Sequence, residues 1–297
     1  MSRTLVKLSG LQPGGIGLNT QLLPANIDIL GLAIVLTSGA AAIGDFGLIQ
    51  LFGNTEALHE YANGAELDDI NGYDLANKYG VNSILELPLE RLGMLEQGAR
   101  YGATLKINPP DNGNNTGDGK GVALGLPAGT PVFTTGNLQF TVLNTATAPT
   151  FDVYAEVERS IDKSTGAGPV MRRKRYTETL SGTSEQGFAR WKFGSEQFRY
   201  IRRVFLKNAG GTIDKMRVTA DGKEVFNRPR LLNNDMIKRY NLHDVTAAGG
   251  WQYMIDFTEN GQREDFDTLG LGELEWHVTP SASGALVAMV EYGGTAW

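Results

Sequence analysis

Two ten-residue segments carry one pattern 161 residues apart. GYDLANKYGV at 72–81 and NNDMIKRYNL at 233–242 align Asp74 with Asp235, Leu75 with Met236, Lys78 with Arg239, Tyr79 with Tyr240 and Val81 with Leu242. The echo extends well beyond this pair. NIDILGLAIVL at 26–36 corresponds to QFRYIRRVFLK at 197–207, and GNLQFTV at 136–142 to GELEWHV at 272–278. Each of the latter is followed by a small-residue turn and a closing apolar run, TFDVYAEVE or ALVAMVEYG. A period this long describes a duplicated domain. Whatever fold the chain adopts, it adopts twice.

The runs between turns alternate with period two, as strands with one buried face do. Leu138, Phe140 and Val142 alternate with Asn137, Gln139 and Thr141, and Phe151, Val153, Ala155 and Val157 with Asp152, Tyr154, Glu156 and Glu158. Later, Leu274, Trp276 and Val278 form another such face, as do Tyr253, Ile255 and Phe257. Asn-Gly at 63–64, 71–72 and 260–261 and Asp-Gly at 221–222 read as turns. ILGLAIVL reads as a strand buried on both faces, too short in apolar residues for a membrane-spanning helix. Only the two quoted segments read as helices, with Asx-rich starts (Asp68-Asp69 and Asn233-Asn234) and Gly80 or Asn241 as C-caps. The predicted fold is all-β: two tandem eight-stranded jelly rolls, a double jelly roll, each with one short inserted helix.

The boundaries follow from composition. Residues 1–161 form the first jelly roll, with a long Gly/Asn-rich loop at 108–129. Residues 162–170 (DKSTGAGPV, from Asp162) form a linker, and 171–297 the second jelly roll. Through Ile161 the chain has 8 basic and 16 acidic residues, net −8, and the remainder has 19 and 17, net +2. The overall charge of −6 gives no reason to expect sequence-specific nucleic-acid binding. With no cysteine, neither disulfides nor thiolate metal sites can hold the fold, so burial must.

Chemistry-bearing motifs are sparse. DNGNNTGDG at 111–119 and EDFD at 264–267 supply oxygen ligands, which makes Asp111, Asp118, Asp265 and Asp267 candidates for a structural calcium ion. The first loop lacks EF-hand spacing, and a solvent-facing loop is the simpler account. The acidic run, with Asp256 and Glu259, could also meet Arg202 and Arg203 of another chain. GDGKG at 117–121 has Gly121 where a phosphate loop needs Ser or Thr. MRRKRY at 171–176 places Arg172, Arg173, Lys174 and Arg175 together, either as a solvated strand start or as a contact to anionic headgroups or a neighbouring subunit. The terminal Trp297 is a further interface candidate. His59, His243 and His277 do not form a metal-binding cluster, and no nucleophile elbow or carboxylate dyad is evident. Catalysis and a bound cofactor are therefore not expected. Trp251, Trp276 and Trp297 keep open a carbohydrate-binding tandem β-sandwich, although Trp276 alternates in phase with core positions.

FRYIRRVFLKNAGGTIDKMRVTADGKEVFNRPRLLNNDMIKRYNL, then YMIDFTENGQREDF and ALVAMVEYGGTAW, resembles the C-terminal half of corticovirus major capsid proteins. The shared features are a buried strand, an AGG turn, a strand ending in Asp-Gly-Lys, an N-D-x-I-x-x-Y helix and a closing V-E-Y-x-G strand. The resemblance covers about residues 171–297; over the first half it is one of organisation, and the 108–129 loop is a departure. It implies a major capsid protein of a tailless, icosahedral bacteriophage with an internal membrane. It further implies homotrimers acting as pseudo-hexagonal capsomers that contact neighbouring capsomers, vertex and minor capsid proteins, and the viral membrane. The location implied is the virion, after synthesis in the bacterial host cytoplasm.

Overall fold

The computed structural model describes residues 3–9, 16–24, 27–38, 42–75, 84–89, 105–106, 135–143, 149–158, 170–188, 200–241, 250–257, 266–268 and 271–294. The chain divides into two compact units, Met1–Met171 with Thr295–Trp297, and Arg172–Gly294.

The first unit contains β1 (Arg3–Leu8), β2 (Gly17–Leu22), β3 (Asp28–Ser38), β4 (Phe46–Gly53), β5 (Glu56–Tyr61), α1 (Gly64–Leu75), β6 (Ile84–Pro88), β7 (Leu105–Lys106), β8 (Gly136–Val142) and β9 (Thr150–Glu158). One sheet runs β1-β9-β3-β6 with β7 beside β3, and the other β5-β4-β8-β2. The described pairings are all antiparallel. The alternating residues do what their period requires: Leu138, Phe140, Val142, Phe151, Val153, Ala155 and Val157 are buried. Phe46 on β4, Phe140 on β8 and Phe151 on β9 form a trio with ring centroids 5.5–6.1 Å apart. Because β9 belongs to one sheet and β4 and β8 to the other, these rings fasten the two layers.

The second unit contains β10 (Val170–Leu180), β11 (Gln186–Phe188), β12 (Tyr200–Asn208), β13 (Ile213–Ala220), β14 (Lys223–Pro229), α2 (Arg230–Asn241), β15 (Tyr253–Asp256), β16 (Phe266–Asp267), β17 (Leu274–Pro280) and β18 (Gly284–Gly294). Its strands run β15-β12-β18-β10, with β16 beside β12, and β11-β17-β13-β14. Each strand therefore has a counterpart in the first unit: β1 with β10, β2 with β11, and so on to β9 with β18. Both helices fall at the same step, between the fifth and sixth strands. This is the jelly-roll order, executed twice. Even an irregularity repeats, because β3 shifts register between Ile29 and Gly31 and β12 between Ile201 and Arg203. The second core is built on Trp276, fully buried among Leu180, Val204, Met216, Val218 and Ala288.

Several local expectations are corrected. Asn-Gly at 63–64 is a helix start rather than a hairpin turn: Asn63 Oδ1 accepts the Glu66 N–H at 2.8 Å, and Gly64 opens α1. A Cβ at Gly64 would lie 2.4 Å from the Ile43 carbonyl oxygen, so only glycine fits there. Asn71-Gly72 lies inside α1, and Asp68-Asp69 sit in its body rather than at its cap. The helix thus begins earlier than the repeat pattern suggests, and Lys78 to Val81 fall outside the described residues. Likewise α2 starts at Arg230, ahead of Asn233-Asn234. Asp221-Gly222 does form the expected turn, with φ of 48° and 72°, and Asp221 Oδ1 also accepts the N–H groups of Gly272 and Glu273 at 2.9 Å. The ILGLAIVL strand buries Ile29, Leu30, Leu32 and Ile34, but Ala33, Val35 and Leu36 remain half-buried. Ile201 to Leu206 of its counterpart β12 are the residues buried on both faces.

The AGG turn has a physical cause. A Cβ at Gly210 would stand 1.8 Å from the Ser283 carbonyl oxygen. Buried Asn208 locks the same place, accepting the Gly210 N–H at 3.0 Å and donating to Ala282 O at 2.8 Å. The turn between β12 and β13 is thereby pressed against that between β17 and β18.

Candidate assembly surfaces

The basic cluster at the start of β10 is not a solvated patch. Arg172 and Arg173 are each 1% exposed. Arg173 donates from Nε to Glu291 Oε2 at 3.0 Å, and Arg203 from Nη2 to Glu291 Oε1 at 3.0 Å. Glu291 is itself fully buried. One carboxylate on β18 thus holds a guanidinium at each oxygen, one from β10 and one from β12, its two neighbours in the sheet. All three side chains point away from the Trp276 core, since Val204, Val290 and Tyr292, the alternate positions, belong to that core. This corrects the expectation that Arg172 and Arg173 face headgroups, solvent or another subunit: charge density in a short segment signals solvent, but the partner carboxylate lies 118 residues away. It also gives Arg203 a partner within its own chain. Lys174 is exposed with its ammonium 5.9 Å over the Tyr176 ring, and half-buried Arg175 donates to Thr177 Oγ1 at 3.2 Å.

The β11-β17-β13-β14 sheet turns a polar face outward. Arg217 pairs with Glu185, whose carboxyl is held below its usual range chiefly by that guanidinium. His277 Nε2 lies 3.3 Å from Glu275. His59, by contrast, is buried in the first unit against the Tyr61 hydroxyl at 3.1 Å. No group of His and acidic residues able to hold a metal occurs among the described residues. Asp111, Asp118, Asp265, His243 and Trp297 lie outside the described residues, and Asp267 sits in β16 opposite Tyr200. Trp251 and Trp276 are 3% and 0% exposed, so neither offers a face on which a sugar could stack.

Each helix is tied to its barrel by one buried amide. Asn71 Nδ2 donates to Glu86 O on β6 at 2.7 Å, and Asn233 Nδ2 to Met254 O on β15 at 2.6 Å. Glu86 lies opposite Ala33 of β3, and Met254 opposite Phe205 of β12. Sequence reading missed both asparagines because the repeat aligns residues 161 apart, which sets Asn71 and Asn233 one residue out of step.

Among the described residues, large apolar side chains are exposed on β1 (Leu5 at 65% and Val6 at 38%), just before β2 (Ile16), and at two further places. On the first barrel Leu18 (55%) and Leu22 (68%) point out from edge strand β2, with Leu48 (43%) of β4 and Leu143 (48%) after β8. Strand β2 inverts the usual pattern, since its inward residues are Asn19 and Gln21, both buried. On the second barrel Leu231 (80%) and Leu232 (49%) stand at the start of α2, and Val225 (42%) is exposed on β14. Lone exposed leucines are ordinary; clustered ones mark surfaces that other molecules cover.

Residues 170–295 match the family model for the viral coat protein P2 C-terminal domain. No curated protein sequence matches the chain. Among solved structures, the major capsid protein P2 from Bacteriophage PM2 is similar over 100% of this chain and 98% of that one, at TM-score 0.75 and 15% identity. The STIV MCP is similar over 99% and 97%, at TM-score 0.66 and 11% identity. The PBCV-1 virus capsid matches over 100% and 96%, at TM-score 0.53 and 10% identity. The second barrel thus carries the sequence pattern of the viral coat protein P2 C-terminal domain, and the whole chain carries the double-jelly-roll fold of viral major capsid proteins.

Proposed function

We propose that this chain is a major capsid protein, a non-enzymatic subunit that trimerises into pseudo-hexagonal capsomers and builds an icosahedral bacteriophage shell over an internal lipid membrane. The observation that carries it is the strand-for-strand duplication of the jelly roll, together with similarity to a bacteriophage major capsid protein along essentially the full length of both chains. Two equivalent barrels per chain give a trimer six equivalent walls, which tile a hexagonal lattice while needing only threefold symmetry. Closed jelly rolls also leave few strand edges open to uncontrolled pairing. The functional division of the chain is a first jelly roll at 1–161, a linker at 162–170 whose last residue, Val170, already opens β10, and a second jelly roll at 171–297. Its partners are then further copies of itself, neighbouring capsomers, vertex and minor capsid proteins and the membrane; its location is the virion, after synthesis in the host cytoplasm.

The test is the purified chain in solution. Light scattering should return three times the 32.1 kDa chain mass, and negative-stain images should show particles of hexagonal outline. A stable monomer that binds glycans would refute the proposal.

A further inference from the structure

Resting on that function, we infer that the outward face of the β5-β4-β8-β2 sheet meets the same face of a second copy of the chain across a two-fold axis, joining one trimer to the next. The duplication supplies the control. Strands β2 (GLNTQL), β4 (FGLIQLFG) and β8 (GNLQFTV) hold not one Asp, Glu, Lys or Arg. The counterparts of β4 and β8 in the second barrel differ: β13 (IDKMRVTA) carries Asp214, Lys215 and Arg217, and β17 (LEWHVTP) carries Glu275 and His277. That face suits water, with Arg217 paired to Glu185. The face of the first barrel does not.

The register arranges what remains. Thr20 lies opposite Gln139 and Gln139 opposite Gln50, so a neutral polar row crosses the middle of the three strands. The first charge met along that row is Glu60 on β5, which accepts from Gln50 Nε2 at 3.1 Å. Leucines flank the row. Leu22 lies opposite Asn137 on one side of it and Leu18 opposite Thr141 on the other. Leu143 reaches over β4, where a Cβ at Gly47 would stand 3.4 Å from its Cδ2. Leu18, Leu22, Leu48 and Leu143 are all exposed, while Asn19 and Gln21 of β2 are buried. An edge strand with its amides inward and its leucines outward gains nothing from facing water, and this one lacks the lysine or proline that blunts free edges.

The occupant follows from the chemistry. A face bearing one sign of charge repels its own copy, whereas amides and hydroxyls both donate and accept, and so can pair with themselves across a two-fold axis. Leucines beside neutral polar groups, with charge absent, make the composition of an interface core. A two-fold contact cannot form inside a three-fold ring, so it links chains of neighbouring trimers. An anionic lipid surface would need basic groups, and these three strands have none.

The test uses the full chain, which has no cysteine. Gln139→Cys places one thiol in the middle of the face, and Glu275→Cys places one at the aligned position of the second barrel. With a short homobifunctional maleimide, the first should give cross-linked pairs of chains and the second should not. Adding Leu18→Lys with Leu22→Lys to Gln139→Cys should abolish the cross-link, and by analytical ultracentrifugation should weaken the pairing of trimers at least about tenfold. The milder pair Leu18→Gln with Leu22→Gln should act in the same direction. Far-UV circular dichroism and melting temperature confirm that each variant is folded, as the exposure of both leucines allows. Equal cross-linking at the two positions, or cross-linking and pairing untouched by the leucine substitutions, would overturn this contact while leaving the trimer and its capsid function intact. A monomeric wild type would instead overturn the capsid function, and this contact with it.

Discussion

Removing the carboxylate of Glu291 should destabilise the second barrel severely. Its two oxygens face Arg173 and Arg203 at 3.0 Å, and both arginines are 1% exposed. At an effective dielectric near 20, unit charges about 4 Å apart attract by about 4 kcal/mol. Two such attractions are opposed by the repulsion of the guanidiniums for each other and by the cost of taking three ions out of water. The net worth of the triad is therefore modest, but the cost of breaking it is not. Glu291→Leu takes the shared carboxylate from two buried cations and should cost about 3–5 kcal/mol. At about 4 °C per kcal/mol for a unit of this size, the second barrel should melt some 12–20 °C lower. Replacing all three residues, Arg173→Met, Arg203→Met and Glu291→Leu, removes the buried charges and should recover most of the loss or exceed wild type. Calorimetry of wild type, single and triple variants decides. A single variant losing under about 1 kcal/mol, or a triple variant as damaged as the single, would refute the argument that uncompensated burial dominates here.

Asn233→Leu should destabilise the second barrel by about 1–3 kcal/mol, read from urea melts, because Met254 O, which accepts from Asn233 Nδ2 at 2.6 Å, loses its buried donor. Glu86 behaves oppositely: burial first, and the charge of Glu156 second, hold its carboxyl above the usual 4.5. Its favourable contribution is complete below that ordinary value and is lost as pH rises through the raised one, so Glu86→Gln should be more stable at pH 7. The gain, checked by thermal melts at pH 4 and pH 7, should be no more than about 0.5 kcal/mol, because the side chain is only half-buried. Burial raises the Tyr176 phenol to about 12 and pushes Tyr253, whose hydroxyl donates to Arg228 O at 2.8 Å, further in the same direction. The protonated phenols favour the fold, so stability should hold below pH 10 and fall as pH rises through 12, with late tyrosinate absorbance appearing together with unfolding. Gly210→Ala should disrupt the packing of the two turns, since its Cβ would stand 1.8 Å from Ser283 O; loss of a cooperative melt at 37 °C or below is the expected result.

The sequence by itself determined the architecture. Side chains that alternate with period two must segregate to two faces, so Leu138, Phe140 and Val142, or Phe151, Val153, Ala155 and Val157, had to be buried, and they are. A pattern written twice had to fold twice, and the strand order repeats even to the register shift beside Ile29 and Ile201. What local patterns could not decide is where a residue's partner lies. Four consecutive basic residues read as surface, yet Arg173 is buried because Glu291 waits 118 residues later. Asn-Gly read as a turn at 63–64, yet the chain there caps a helix, because Gly64 is the residue that fits against Ile43 O. The asparagines that fasten the helices carry no local signature, since the carbonyls they serve sit 15 and 21 residues further along on another element. Periodicity is a property of a segment and survives in the sequence; pairing, burial of charge and exposed leucines at 231 and 232 are properties of segments brought together, and only the folded chain decides them.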